Sequence, residues 1–338
     1  LQKEYNDSGV QVIVSTHSSI LASKINVKNL ILLKNDSSFN LSAEYTGLEK
    51  GDYLFLQRFL DSTKANLFFA KGIIMVEGDA ESLLLPTLAD VIGINLEKHG
   101  ISVVNVGGTG FFRYSRIFLR KDGSAIDVPI SIITDCDIEP DKQDGEIDQR
   151  ETETTAAIVA IQRKYNVGCI NAFVAPKWTF EYSVAFSCLR DMLYESILQA
   201  KKIENSDQYA LTAAKIEEIE KNLAEEKMKW STQEPCVTAY QIYHDTMLNK
   251  GEPVVKTKAT SKAIVAQCLA SNLRWAITEI ASAGEGGTPL PKERMFDLDL
   301  YQTHTDEAKR VALAEEIEKD PYLSYLVLAI KHAAGIEG

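Results

Sequence analysis

Four carboxylates, Glu77, Glu81, Asp135 and Asp137, are the side chains best placed for chemistry. The apolar run Gly72-Ile73-Ile74-Met75-Val76 ends on Glu77-Gly78-Asp79-Ala80-Glu81, and the run Pro129 to Thr134 ends on Asp135-Cys136-Asp137. Short apolar runs bounded in this way read as buried strands. In an open α/β sheet the carboxyl ends of the strands are where ligands bind. Side chains two apart on an extended chain share a face, so Asp135 and Asp137 are expected to aim together while Cys136 points away. Glu77 would reach the same rim from a neighbouring strand, and Glu81 would follow one turn into the next helix. Crowded carboxylates away from water are costly unless something positive sits among them. Hard divalent ions such as Mg²⁺ or Mn²⁺ take oxygen ligands, which makes these four acids candidate metal ligands. Each acid alone has a plainer reading, as a helix N-terminal residue favoured by the dipole.

The elements that must position them alternate. Strands are expected at 72–77, 102–106, 129–134 and 170–174, with helices at 79–92, Phe111 to Leu119 and Glu151 to Tyr165. Alternation with apolar strands means an α/β fold, a mainly parallel sheet with helices on both faces. Right-handed crossovers would set the strand ends on one rim. After Pro176 the pattern turns helical, with a charged amphipathic stretch from Lys201 to Trp230, a helix from Thr260 to Ala281, a loop at 284–289 and two closing helices split at Asp320-Pro321. Upstream, Val10 to Ser15 reads as a buried strand. Leu30 to Lys34 and Phe39 to Tyr45 read as a hairpin across Asp36-Ser37-Ser38, and Asp52 to Phe69 as a helix.

Bulk properties narrow the classes. The chain has 338 residues, 45% of them hydrophobic, and a net charge of −12. That balance does not suit a protein held to nucleic acid by bulk charge. A nuclease stays open, because metal ions and a local basic face can supply the attraction. Arg113, Arg116 and Arg120 at i, i+3 and i+7 could touch a DNA backbone, and a solvated helix face explains them equally well. Lys256, Lys258 and Lys262 add positive charge later in the chain. Gly107-Gly108-Thr109-Gly110 could wrap a phosphate, though without a lysine a tight strand-to-helix turn is the commoner reading. The five cysteines form no Cys-x-x-Cys pair. With no transmembrane stretch and no signal peptide, this points to a reducing, cytoplasmic setting.

Val10 to Ser15 followed by Thr16-His17-Ser18-Ser19-Ile20-Leu21 resembles the end of an ABC-type ATPase domain, where a strand delivers a switch histidine toward the γ-phosphate. The resemblance implies that His17 senses ATP in a longer parent protein. No Gly-x-x-x-x-Gly-Lys-Ser/Thr is present, so ATP would act only in that parent and no ATPase activity is expected of this chain alone. Val76-Glu77-Gly78 followed by Asp135-Cys136-Asp137 resembles a Toprim domain, the metal-binding module of topoisomerases, DnaG-type primases and OLD-family nucleases. An ATPase tail joined directly to such a module narrows the resemblance to the OLD (overcoming lysogenisation defect) family, to which the nuclease subunit of the Gabija anti-phage system is similar. It covers roughly Val10 to Leu269.

That resemblance implies a division into an ATPase tail (1–50), a linking helix (51–70), a Toprim catalytic core (71–190), a helical insertion or arm (191–250) and a C-terminal helical part (251–338). It implies a further metal ligand at Glu181, in Trp178-Thr179-Phe180-Glu181-Tyr182. It implies a catalytic lysine at Lys262, in Ser261-Lys262-Ala263-Ile264-Val265-Ala266-Gln267, with Lys258 as the alternative. Ala263 fits the family pattern and Val265 departs from its aromatic. The implied activity is metal-dependent DNA endonuclease, nicking or cleaving, in anti-phage defence or DNA processing. Glu77 and Lys262 would be catalytic. Two Mg²⁺ or Mn²⁺ ions would sit about 4 Å apart, one on Glu77, Asp135 and Asp137, the other on Glu81 and Glu181. DNA contacts would come from Arg113, Arg116 and Lys258. Implied partners are DNA, further copies of the chain through the ATPase or helical parts, and a helicase-type protein, with no membrane. The rival readings are a non-catalytic Toprim scaffold of an ATPase and a topoisomerase- or primase-type Toprim.

Overall fold

The computed structural model describes residues 12–143, 146–206, 211–251, 258–279, 291–300 and 303–336. They fall into two compact units. One takes the described residues up to Ala70 together with Arg113–Ile126, and the other takes Lys71–Phe112 and the described residues from Asp127 on.

In the first unit Ser18 caps helix α1 (Ser19–Lys24) by accepting from the Leu21 amide. Strands β1 (Ile31–Lys34) and β2 (Ser37–Asn40) form an antiparallel hairpin. Its turn is Asn35-Asp36, both with positive φ (49° and 57°), one residue earlier than the expected Asp36-Ser37-Ser38. Two-residue hairpin turns want positive φ at both positions, and Asn and Asp tolerate it. Helix α2 (Lys50–Phe59) opens with a reciprocal Glu49/Asp52 capping box. It stops ten residues short of the expected Phe69, because the Asp61 carboxylate accepts from the Thr63 and Lys64 amides and turns the chain into a 3₁₀ segment, Lys64–Phe68. The strand expected over Val10 to Ser15 is not seen in its described part. Val12, Ile13 and Val14 are exposed and irregular. A strand needs a paired neighbour for its backbone groups, and none lies alongside among the described residues.

The second unit holds the four-stranded parallel sheet, in the order β4 (Ile101–Asn105), β3 (Gly72–Val76), β5 (Ile130–Thr134), β8 (Ile170–Val174). Strands β3 and β5 are buried along their whole length, as strands covered on both faces must be. Helices α3 (Asp79–Val91), α4 (Phe111–Ser115, of which Arg113–Ser115 belongs to the first unit) and α5 (Glu151–Tyr165) follow β3, β4 and the acidic loop. That loop pairs two short strands, β6 (Asp141–Gln143) and β7 (Glu146–Asp148). After β8 come α6 (Phe180–Phe186), α7 (Arg190–Glu204), α8 (Ala213–Trp230) and α9 (Pro235–Tyr240), which runs into a π-helical turn, Gln241–Met247. The expected single stretch Lys201 to Trp230 is thus divided between α7 and α8, with Ile216, Ile219 and Trp230 buried in the core. Helix α10 is Lys262–Ala276. Strands β9 (Thr278–Glu279) and β10 (His304–Thr305) pair before the closing helices α11 (Glu307–Lys319) and α12 (Ser324–Ala333). The expected loop at 284–289 lies outside the described residues.

Helix α12 packs on β5, β8 and β3. Its carbonyl end sits so close to the start of β3 that a Cβ on Gly72 would lie 1.9 Å from the Ala333 oxygen. One turn earlier, the Ser131 hydroxyl of β5 donates to the Ala329 carbonyl at 2.7 Å and lies 3.0 Å from His332 Nδ1. The helix therefore runs antiparallel to the strands, its N-terminus toward their carboxyl ends.

Candidate active site

Strands β3 and β5 are neighbours, so the residues that end them emerge side by side. Glu77 is half-buried and takes the Thr134 hydroxyl and, at 3.3 Å, the Asp135 amide on one carboxylate oxygen. Asp135 turns toward α6 and accepts from the Phe180 amide at 2.7 Å. Glu181 follows in the first turn of α6, behind the Thr179 cap, and is buried. Glu81 occupies the first turn of α3 and is also buried. Three of these acids thus lie at the amino ends of two helices, where the dipole favours negative charge.

One cation enters this group. The Lys262 ammonium lies 2.8 Å from Glu181 Oε2. Lys262 is the first residue of α10, capped by Ser261. A helix amino end disfavours a positive charge, so the carboxylates rather than the helix hold it there. Burial disfavours the ammonium, but Glu181, Tyr243 and Asp135 outweigh it and keep the Lys262 pKa above the ordinary lysine value. Its Nζ also stands 5.9 Å from the centre of the Tyr243 ring, within cation–π range. Tyr243 belongs to the π-helical turn and packs edge-on against Trp178. Burial, with Glu181 behind it, pushes the Tyr243 phenol up to about 12.

The negative charge exceeds what one lysine balances. Burial first, then Glu181 and Glu77, push the Glu81 carboxyl up to about 7 against the pull of Lys262. Burial and then Glu181 hold Asp135 well above the usual carboxylate range. Among the described residues no three His, Cys, Asp or Glu side chains converge as a ready coordination shell. Glu77, Asp135 and Glu181 are each turned to a local donor instead, as the bonds above show. The donor set is all carboxylate oxygen with a deficit of positive charge, which fits a hard divalent cation.

Asp137 departs from the expected geometry. Its φ is +58°, its side chain is exposed, and its amide donates to the Trp178 carbonyl at 3.0 Å. The chain is left-handed there rather than extended, so the rule that residues two apart share a face does not apply. Cys136, buried between the two acids, places its thiol 3.6 Å from the same carbonyl.

In the first unit Arg116 is 2.9 Å from Asp52 and 3.6 Å from Glu49, and Arg113 stacks 4.3 Å over the Phe55 ring. Both arginines expected to meet DNA are therefore engaged in the packing of α2. Arg120 bonds Asp122 and the Asn40 carbonyl. Lys258 is exposed, and its carbonyl accepts from Asn249 at 2.6 Å. Lys256 lies outside the described residues. His17 is exposed, its ring 6.0 Å from that of Phe69. The glycine turn is a turn: the Gly108 amide bonds the Glu77 carbonyl at 2.9 Å and the Gly107 amide bonds Asn105 at 2.8 Å. Those two amides are committed to the chain itself, as in a strand-to-helix turn.

Two residues absent from the sequence reading border the cluster. Tyr243 is one. The other is Tyr325 at the start of α12, whose phenol is held far above its usual value by burial and then by Asp135, Glu81 and Glu181. Neither sits in a motif, so only the fold reveals them.

Residues 68–137 match the family model "Overcoming lysogenization defect protein-like, TOPRIM domain". A 185-residue stretch is 29% identical to Endonuclease GajA of Bacillus cereus (strain HuB5-5), covering 49% of this chain and 26% of that protein. A 141-residue stretch is 33% identical to the Old nuclease of Escherichia phage P2, covering 39% of this chain and 23% of that protein. The chain therefore spans about a quarter of the length of these relatives. Among solved structures, the C-terminal region of the Xanthomonas campestris pv. campestris OLD protein is matched at TM-score 0.34 and 21% identity, over 74% of this chain and 99% of that one. The corresponding region from Burkholderia pseudomallei is matched at TM-score 0.33 and 22% identity, over 72% and 99%.

Proposed function

We propose that this chain, whose residues 68–137 match the TOPRIM-domain model of overcoming-lysogenization-defect-like proteins, carries the cation-dependent DNA endonuclease site of such a protein. The relatives it matches are nucleases by name. The observation that carries the reading is the meeting of Glu77, Glu81, Asp135 and Glu181 with Lys262 at the carboxyl rim of the parallel sheet. Mg²⁺ or Mn²⁺, two ions to a site, would be held by these carboxylates with Asp137 at the outer edge. They would supply charge neutralisation at the phosphodiester and acidify a nearby water.

The chain's own groups have defined tasks. Lys262 neutralises charge that grows on the scissile phosphate, which is the larger part of what such a site contributes. Glu181 and the Tyr243 ring hold the ammonium in place. Thr134 and the Asp135 amide orient Glu77. A covalent, topoisomerase-like route would need an activated tyrosine. Tyr243 is pushed up to about 12 and so stays protonated near neutral pH, which favours direct hydrolysis. His17 would sense ATP only in a longer parent that supplies a phosphate loop, and anti-phage defence or DNA processing is the setting proposed for that parent.

The test is cleavage of supercoiled plasmid by the chain with Mg²⁺, Mn²⁺ or EDTA, beside Glu77→Ala and Lys262→Ala. Metal-dependent nicking lost in both variants supports the proposal. Absence of cleavage with either metal would favour a scaffold. Cleavage untouched by Glu77→Ala would place the chemistry elsewhere.

A further inference from the structure

Tyr325 is 6% exposed, and its hydroxyl has no hydrogen-bond partner among the described residues. Leaving a buried hydroxyl unpaired costs free energy, and the few cases that persist in folded proteins call for a reason. The packing of α12 says where this hydroxyl lies. Ala333 meets Gly72, the first residue of β3, and Ala329 accepts from Ser131, the second described residue of β5. Tyr325 is one further turn along, a rise of about 6 Å. Side chains on a helix tilt toward its amino end, so the phenol continues in the same direction, toward the strand ends that carry Glu77 and Asp135. The charges that act on it agree: Asp135 is the nearest in effect, followed by Glu81 and Glu181. Its environment is otherwise apolar, since α12 buries Leu326, Val327, Ala329 and Ile330 against the core.

We propose that Tyr325 is a positioning residue of the cation site, its hydroxyl a hydrogen-bond donor that finds its acceptor, an oxygen of the cation's coordination shell, when the ion is bound. This rests on the reading of the rim as a divalent-cation site. The hydroxyl is kept, unpaired and at a cost to the ion-free fold, because it orients a ligand of the loaded one. Groups that orient ligands in this way typically contribute 10–100-fold to metal affinity. Removing the hydroxyl while keeping the ring should therefore act in opposite directions on folding and on binding.

The experiment is Tyr325→Phe, measured two ways. Thermal unfolding in EDTA should show Tm raised by about 2 °C, since the variant no longer buries an unpaired group. Mn²⁺ titration by calorimetry, or by loss of the free-ion signal in electron paramagnetic resonance, should show affinity lowered at least tenfold. A hydroxyl with a merely structural role would give the reverse pattern, a lower Tm and unchanged Mn²⁺ affinity, and that result overturns the proposal. Equal Mn²⁺ affinity in wild type and variant, with binding lost in Glu77→Ala, sinks the role of Tyr325 but leaves the cation site standing. Wild-type protein that takes up no Mn²⁺ removes the cation site and the proposal with it.

Discussion

The two ends of the parallel sheet are built on different principles, and α12 lies along both. At the amino end the helix meets β3 so tightly that only a glycine fits, with the Ala333 carbonyl in the space a Cβ at Gly72 would need. Nearby, the Ser131 hydroxyl is fully used by Ala329 and His332. Toward the carboxyl end the same helix carries Tyr325, whose hydroxyl has no partner among the described residues and feels a cluster of carboxylates whose charge a single lysine does not balance. One end is optimised for packing. The other tolerates buried polar groups that the fold alone would not select. Local rules are broken where a site needs them broken, and the amino end supplies the stability that the rim spends.

The largest expected effect is at the rim. Lys262→Ala should lower plasmid cleavage by about 10²–10³-fold, the range for losing one charge-stabilising group. The ammonium is 47% exposed, but its loss leaves Glu181, 4% exposed, without its cation, so Tm should fall by a few degrees while activity falls far more. An equal loss of activity and of folded protein would erase the distinction between the two ends. The opposite pattern is expected at Gly72. Gly72→Ala drives a methyl group into the Ala333 backbone, which cannot yield as a side chain would. It should lower unfolding free energy by about 3 kcal/mol in urea titration, with cleavage per folded molecule unchanged.

A carboxylate with its partners in place gives a reference. Asp52 is buried in the first unit, accepts from the Glu49 amide and pairs with Arg116. Asp52→Ala should cost about 2 kcal/mol by the same titration, since it leaves a cap and an arginine unmatched. The smallest effect concerns pH. Burial lowers the His332 pKa from 6.5. A base with a depressed native pKa contributes full stability above its unfolded value and loses it as pH falls through the native one. The part of stability that depends on His332 should therefore decline below pH 6.5, while the raised Glu81 carboxyl, at about 7, acts in the opposite sense, so in a pH series of urea midpoints His332→Asn should gain on the wild type as pH falls below 6.5.

Much of this contrast was legible before any coordinates. The runs at β3 and β5 are apolar without interruption, because both faces of those strands are covered, and their acidic ends named Glu77, Glu81 and Asp135 directly. Helix α5 begins and ends where its periodicity places it, Glu151 to Tyr165. Other features were hidden for physical reasons. Asp137 adopts a left-handed φ through a bond to Trp178, 41 positions away, which no local pattern encodes. Arg113 and Arg116 read as an open basic face because Asp52 and Phe55 come from a distant segment. Tyr325 looks like any aromatic in an apolar helix until the direction of α12 aims it at the rim. Tyr243 sits in a π-helical turn, whose extra residue per turn defeats the 3.6-residue period.

Divalent-ion binding by the carboxylates of the rim is open to direct measurement. The direct measurement is an anomalous-difference map from crystals of this chain grown with Mn²⁺. Peaks bounded by Glu77, Glu81, Asp135 and Glu181 are the predicted result. A fully soaked crystal with no peak there, and Lys262 still against Glu181, would contradict it.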